Sequence, residues 1–216
     1  MSELKLPSVT ISGIEDYLEQ HLEQRDNIFK YAERLANEQK ASIVGPIIGN
    51  FLFTLTKMVN AKKVLELGSS IGYSTLWFAK AIGKDGKVTY TDFSHKNMEI
   101  AKSIADKAEL TERINFYVGD ALEFLSRTNE QYDIIFLDLN KDMYFKALEE
   151  SLNKLKKGGL LIADNILWGG RVRWSLDDEN TKTIKKFNTF ISNAPNLQTS
   201  LIPIRDGLSI TIKLRD

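Results

Sequence analysis

The chain's pattern predicts an α/β fold: a doubly wound, mostly parallel sheet with helices on both faces. Three observations carry that prediction. From Lys63 onward, short apolar runs alternate with helical stretches five times. Four of those runs end in acids or polar pairs: Asp92, Gly119-Asp120, Asp138 and Asp164-Asn165. The chain then closes on two β-rich runs flanking Arg205-Asp206-Gly207, which reads as an antiparallel hairpin. Alternating strands and helices form parallel sheets, and right-handed crossovers bring the strand ends to one edge.

The elements follow in order. Residues 1 to about 12 read as a loose arm. Ile14, Tyr17, Leu18 and Leu22 have helical spacing, with Ser12 placed to cap and Glu15 three residues on. Ile28, Phe29, Ala32, Leu35 and Ala36 continue as a second helix. Both lie outside the βα repeat and are expected to form a packing cap. Gly45-Pro46 reads as a breaker, followed by an amphipathic helix through Ile47, Ile48, Phe51, Leu52, Leu55 and Val59. Strands are predicted at 63–67, 87–91, 114–118, 132–137 and 160–163. Helices are predicted at about 74–82, 96–108, 143–155 and 178–192, with a short one ending at Ser126. Lys156-Lys157-Gly158-Gly159 suits a helix C-terminus. The last strands are predicted at 199–204 and 208–214. With no repeats, low-complexity tracts or linkers, the chain reads as one domain over 1–216, with a helical extension at 1–44 and the core at 45–216.

Bulk properties narrow the function. The 216 residues carry 29 basic and 29 acidic side chains, so no net field points to nucleic acid or an anionic membrane. There is no cysteine, which excludes disulfides and thiolate metal sites and favours oxygen ligands for any metal. The first residues carry Glu3, Glu15, Asp16 and Glu19 without an unbroken apolar core, so no signal peptide is expected. No run approaches the roughly 20 apolar residues that span a bilayer. The expectation is a soluble, cytoplasmic protein.

Glu66-Leu67-Gly68-Ser69-Ser70-Ile71-Gly72-Tyr73-Ser74 occupies the first strand-to-helix turn. Its glycines permit close approach of backbone to a ligand. It lacks the third glycine of the dinucleotide fingerprint and the Gly-Lys-Ser/Thr of a P-loop, so a diphosphate is not implied. Asp92 ends the second strand, where an acid accepts hydrogen bonds from ribose hydroxyls. Asp120 ends the third, within reach of an exocyclic amine. Either acid alone would read as a helix cap; together they suit a nucleoside without a pyrophosphate. Asp138 and Asp164-Asn165 deliver hard oxygen ligands at two further strand ends, with Lys141 beside them. Singly, these residues would read as a cap, a turn and a solvated lysine.

These motifs resemble those of the cation-dependent class I O-methyltransferases of the caffeoyl-CoA and catechol O-methyltransferase type. The likeness runs through Val64-Leu65-Glu66-Leu67-Gly68 with Gly72-Tyr73-Ser74, Gly119-Asp120-Ala121-Leu122, and Asp133 to Asp138 with Lys141 and Tyr144. It continues through Gly158 to Val172, Phe187-Asn188 and Pro203 to Leu208. The resemblance implies a seven-stranded sheet with its last strand antiparallel. S-adenosylmethionine would be lined by Glu66, Gly68, Ser70, Gly72, Ser74, Asp92, Asp120, Ala121 and Asp138. A cation, Mg²⁺ or another such as Ca²⁺ or Mn²⁺, would be held by Asp138, Asp164 and Asn165, with Lys141 taking the substrate proton. A catechol-like acceptor and a homodimer are implied too. Two departures stand out. Leu139-Asn140 replaces the family's usual Ala-Asp, removing a negative charge, and Ile47 to Leu52 matches only loosely.

The chemistry fits the residue types. A phenol with a pKa near 10 is a poor nucleophile at neutral pH. A cation that orients two adjacent hydroxyls lowers the pKa of one, and a lysine with a depressed pKa accepts its proton. Trp168 and Trp174 are placed to wall the acceptor pocket, while His21 and His95 carry no expected chemistry. Three other readings share parts of this pattern. They are a nicotinamide-dependent oxidoreductase, a non-catalytic S-adenosylmethionine-binding module, and a metal-independent methyltransferase.

Overall fold

The computed structural model describes residues 11, 13–22, 26–174 and 178–215. The cap expected at Ser12 and most of the N-terminal arm lie outside these residues. Helices α1 (Ile14–Gln20), α2 (Asn27–Gln39) and α3 (Gly45–Met58) precede the sheet. The alternating core follows: β1 (Lys63–Leu67), α4 (Tyr73–Ile82), β2 (Lys87–Asp92), α5 (His95–Lys107), β3 (Ile114–Val118), α6 (Ala121–Arg127), β4 (Tyr132–Leu137), α7 (Tyr144–Lys154) and β5 (Leu155–Asp164). The chain ends with α8 (Glu179–Asn193), β6 (Leu197–Ile202) and β7 (Leu208–Lys213).

The strands form one seven-stranded sheet in the order β3-β2-β1-β4-β5-β7-β6. Only β7 runs against its neighbours, pairing antiparallel with both β5 and β6. The strand period of two divides the core. Val64, Val88, Ile134 and Phe136 face a layer containing Ile48, Leu52, Phe78 and Ile104 from α3, α4 and α5. Leu65, Leu67, Ile135 and Leu137 face Leu125, Leu148, Ile184 and Phe187 from α6, α7 and α8. Strands buried on both faces read as continuous apolar runs, and β4 does so.

The N-terminal helices differ in their attachment. Helix α2 buries Phe29, Ala32 and Ala36. Phe29 lies 4.1 Å between ring centroids from Trp77 and edge-on to Tyr73. Helix α2 therefore packs as a cap over α4, whereas α1 buries no residue.

The structure corrects three readings. Lys156 to Gly159 do not end a helix: α7 stops at Lys154 and β5 begins at Leu155. The ladder slips between Tyr132↔Leu155 and Ile134↔Leu160, so the extra residues bulge out of register. Gly158 takes φ 78 in that bulge, and Lys156 reaches back to Asp133 at 2.6 Å. Gly45-Pro46 does not precede the helix but opens it, proline's missing N–H being unneeded in a first turn. Strand β6 begins two residues earlier than its alternation suggested.

The position of β1 decides where ligands gather. It has β2 on one side and β4 on the other: the chain runs outward from β1 through β2 to β3, then crosses back to β4 on the far side of β1. The crevice at such a switch point, beyond the strand ends, is where open α/β sheets bind ligands. Among the described residues, no helix is long and apolar enough to cross a membrane.

Candidate active site at the switch point

The glycine loop after β1 is strapped to the end of β2. Ser69 N–H donates to Thr91 O at 2.8 Å, and Thr91 N–H donates to Ser69 Oγ at 3.1 Å. Ser70 N–H donates to Asp92 Oδ2 at 3.0 Å, which holds Ser70 in left-handed backbone at φ 49. The loop's shape is thus held by hydrogen bonds within the chain. Its two glycines do different work. At Gly68, φ 89, a Cβ would collide with the carbonyl oxygen of Asp138, so this glycine lets the loops after β1 and β4 touch. Gly72, φ 80, caps α4, and a Cβ there would meet Ala101 of α5 at 2.7 Å. Its glycine requirement comes from helix packing.

The predicted cofactor acids are anchored. Asp92 Oδ1 accepts from Ser94 N–H at 2.8 Å and from Asn97 Nδ2 at 3.0 Å, steadying the start of α5. Asp120 Oδ1 accepts from the N–H groups of Leu122 and Glu123, capping α6, with Ala121 buried as its first residue. Gly119 N–H donates to Asp92 O at 2.9 Å and brings these two strand ends together. Beside Asp92, Phe93 is 64% exposed, a bare aromatic face at the ligand edge that sequence reasoning passed over. Glu66 is fully buried and accepts from the hydroxyls of Ser74 and Thr75. Burial pushes its carboxyl up to about 7 against the pull of those hydroxyls.

The second cluster stands across the Gly68 contact. Asp138 N–H donates to Leu67 O at 3.0 Å, so its backbone continues the β1 pairing. Lys141 is 8% exposed, far from the solvated lysine its type suggests. Its ammonium donates to Tyr144 Oη at 2.7 Å, Asn165 Oδ1 at 2.8 Å and Leu139 O at 3.3 Å, and lies 4.0 Å from Asp138 Oδ1. Tyr144 is buried and donates to Asp164 O at 2.8 Å, tying α7 to the end of β5. Asn165 is left-handed at φ 56, with its N–H on Asp164 Oδ1 at 2.8 Å. The four residues read as a reaction centre, Asp138, Lys141, Asp164 and Asn165, are thus brought together.

Burial dominates the electrostatics. It raises Asp138, with Lys141 and Arg205 pulling the other way. It raises Asp164 to about 7, helped by the charge of Asp138. It lowers Lys141, opposed by Asp138, Asp164 and Asp206. Two carboxylates facing each other in a half-dry site are short of positive charge. Two further members of this cluster, Asp206 and Arg205, had read as a hairpin turn and as part of the family likeness, with no role in the site. Asp206 Oδ1 accepts from Gly169 N–H, while its Oδ2 is buried without a hydrogen-bond partner. Their role was hidden because β7 pairs with β5, which sets the hairpin turn beside the end of β5.

The Leu139-Asn140 departure resolves into separate positions. Leu139 packs at the Gly68 contact, and Asn140 is exposed at the start of a short 3-10 turn. The missing charge therefore stands at the surface. Trp168 is half-buried with its Nε1 unpartnered, and Trp174 is 56% exposed against Arg173. His21 Nδ1 donates to Tyr17 O at 2.9 Å, back to its own helix, and His95 opens α5.

The chain is similar to known proteins in sequence and in fold. A sequence profile of the O-methyltransferase family matches residues 21–214. Caffeoyl-CoA O-methyltransferase 2 of Populus trichocarpa is 32% identical over 77% of this chain and 73% of its own length. Caffeoyl-CoA O-methyltransferase 5 of Nicotiana tabacum is 34% identical over 75% and 73%. The crystal structure of an O-methyltransferase from Bacillus cereus in complex with SAH superposes with a TM-score of 0.84 at 25% identity, over 93% of this chain and 96% of that one. The match spans the glycine loop, the acids at the strand ends and the terminal hairpin alike, and the chain belongs to the class I S-adenosylmethionine-dependent O-methyltransferase family.

Proposed function

We propose that this protein transfers a methyl group from S-adenosylmethionine to one hydroxyl of a catechol-like vicinal diol, with a divalent cation in the site and Lys141 as general base. The observation that carries the reading is the convergence of Asp138, Lys141, Asp164 and Asn165 across one loop contact from the glycine turn. Among the described residues no group of three His, Cys, Asp or Glu side chains could hold a metal by itself. The reading therefore takes the amide oxygen of Asn165, which accepts from Lys141, as the third ligand that would join Asp138 and Asp164.

The donor set fits a hard cation. It consists of two carboxylates and an amide oxygen. Asp164 is held up at about 7 by burial and by Asp138, against the pull of Lys141, the Asn165 N–H and Arg205, so a bound cation would favour its ionised form. Mg²⁺ or a similar ion held by Asp138, Asp164 and Asn165 would supply Lewis acidity and orient adjacent hydroxyls. When bound, S-adenosylmethionine would supply an electrophilic methyl group.

The chain's own residues do the rest. Lys141 removes the proton from the acceptor hydroxyl; burial lowers its pKa toward a useful base. The resulting ammonium is received by Tyr144 Oη, Asn165 Oδ1 and Leu139 O. The Gly68 loop, fixed by Thr91 and Asp92, sets the donor side at one distance from Asp138, and positioning supplies much of the rate. Asp92 and Asp120 offer acceptors to the nucleoside, and the exposed Phe93 offers a ring face for its base.

The test is methyl transfer to 3,4-dihydroxybenzoate with Mg²⁺, with EDTA, and in Asp138→Ala. Activity should vanish with EDTA and fall by about a hundredfold or more in the variant. Undiminished transfer in EDTA would sink the cation, and donor binding without transfer to any diol would sink the enzyme reading.

A further inference from the structure

Arg205 stands in left-handed backbone at φ 50, a conformation that costs any residue with a Cβ. Its guanidinium is spent on a distant segment: Nη1 donates to the carbonyl of Val44 and, at 3.3 Å, to that of Ile43. These residues lead into α3. Gly45 faces Arg205 with φ 75, and a Cβ there would stand 2.6 Å from Nη1. Two left-handed positions far apart in sequence are therefore fitted to each other.

The neighbouring residues of the same turn tie in another direction. Asp206 accepts from Gly169 N–H through its side chain and from Leu167 N–H through its backbone at 3.0 Å. Gly207 O accepts from Ile166 N–H at 3.1 Å. One turn thus joins the loop after Asp164-Asn165 to the entry of α3.

We propose that Arg205 is a positioning residue that clamps the entry of α3, residues 43–48, against the acid-lined sheet edge, making that segment a fixed wall of the acceptor pocket. The wall's role as an acceptor wall rests on the function proposed above; the clamp itself does not. Ile47 and Ile48, two and three residues after Gly45 in α3, are buried. The guanidinium spans two carbonyls, which a lysine ammonium at the end of a flexible stem would hold less firmly.

The test compares Arg205→Gly and Arg205→Lys with the parent enzyme. Glycine relieves the left-handed backbone, so the fold should survive and the melting midpoint should hold. Amide hydrogen exchange at residues 43–50 should quicken about tenfold in Arg205→Gly, with the β4 amides unchanged. The KM for 3,4-dihydroxybenzoate should rise about fivefold or more with kcat within about twofold, and S-adenosylmethionine affinity should hold. Arg205→Lys should restore part of both effects. Unchanged exchange in Arg205→Gly would overturn the clamp, and faster exchange with an unchanged acceptor KM would overturn its role as a pocket wall. If the parent enzyme is inert on the diol, the proposed function fails, and the exchange rates still decide the clamp.

Discussion

At the scale of the residue, two of the buried ionisable groups, Lys141 and Glu66, each give a pH signature that can be measured. Lys141 has its three N–H donors on Tyr144, Asn165 and Leu139, and burial lowers its pKa from 10.5. Lys141→Met should reduce kcat by about a hundredfold or more while leaving donor affinity near that of the parent, the loss expected of a general base. In the parent, kcat/KM should rise with pH and level off below 10.5; a kinetic step at or above the free lysine value would argue against a buried base. Glu66 gives a stability signature. Its carboxyl titrates at about 7 when folded against 4.5 for the free group. Between those values the folded chain keeps a proton that the unfolded chain has released, so stability falls as pH rises through the window. The loss amounts to about 3 kcal/mol. Glu66→Gln carries no such titration and keeps an acceptor for a hydroxyl. Its melting midpoint should gain on the parent from pH 5 to pH 8; parallel midpoint curves would show that Glu66 is ionised throughout.

At the scale of the element, the contact between the loops after β1 and β4 couples the donor side to the reaction centre. A Cβ on Gly68 would enter the Asp138 carbonyl, and φ 89 is strained for alanine as well. Gly68→Ala should destabilise the fold by about 1–3 kcal/mol and weaken S-adenosylmethionine binding and turnover together. Loss of stability with donor affinity intact, read by calorimetric titration, would show that the contact serves packing alone. The glycine turn shows what was legible and what was not. Gly68-x-x-x-Gly72 announced a strand-to-helix turn with a special backbone. It could not say that one glycine faces Asp138 and the other Ala101, because those partners lie in other βα units. The bulge in β5 was hidden for a similar reason. Lys156 to Gly159 look like a helix end locally, and only pairing with β4 draws them into a strand.

At the scale of the whole molecule, the N-terminal helices differ in burial: α2 buries three residues and α1 buries none. Helix α2 closes the α4 face through Phe29, which is 1% exposed against Trp77 and Tyr73. Phe29→Ala should cost about 3–5 kcal/mol in denaturant unfolding, the range for truncating a buried aromatic side chain. A change under about 1 kcal/mol would mean that α2 detaches easily and acts as a lid.

Local chemistry determined much of this protein. Apolar periodicity set the alternation of strands and helices, because burying one face or both leaves a period that survives in sequence. Acids at the ends of apolar runs marked the ligand edge, because parallel crossovers send those ends the same way. The tertiary structure alone decided the strand order, which places β1 between β2 and β4 and makes a crevice where the Gly68 loop meets Asp138. It decided that Lys141 is buried on Asn165 and Tyr144 instead of solvated. It also decided that Arg205 and Asp206 are more than a hairpin turn, since β7 inserts beside β5 and carries them to the site. Such pairings arise from long-range burial and hydrogen bonding, which leave no trace in a local window of sequence.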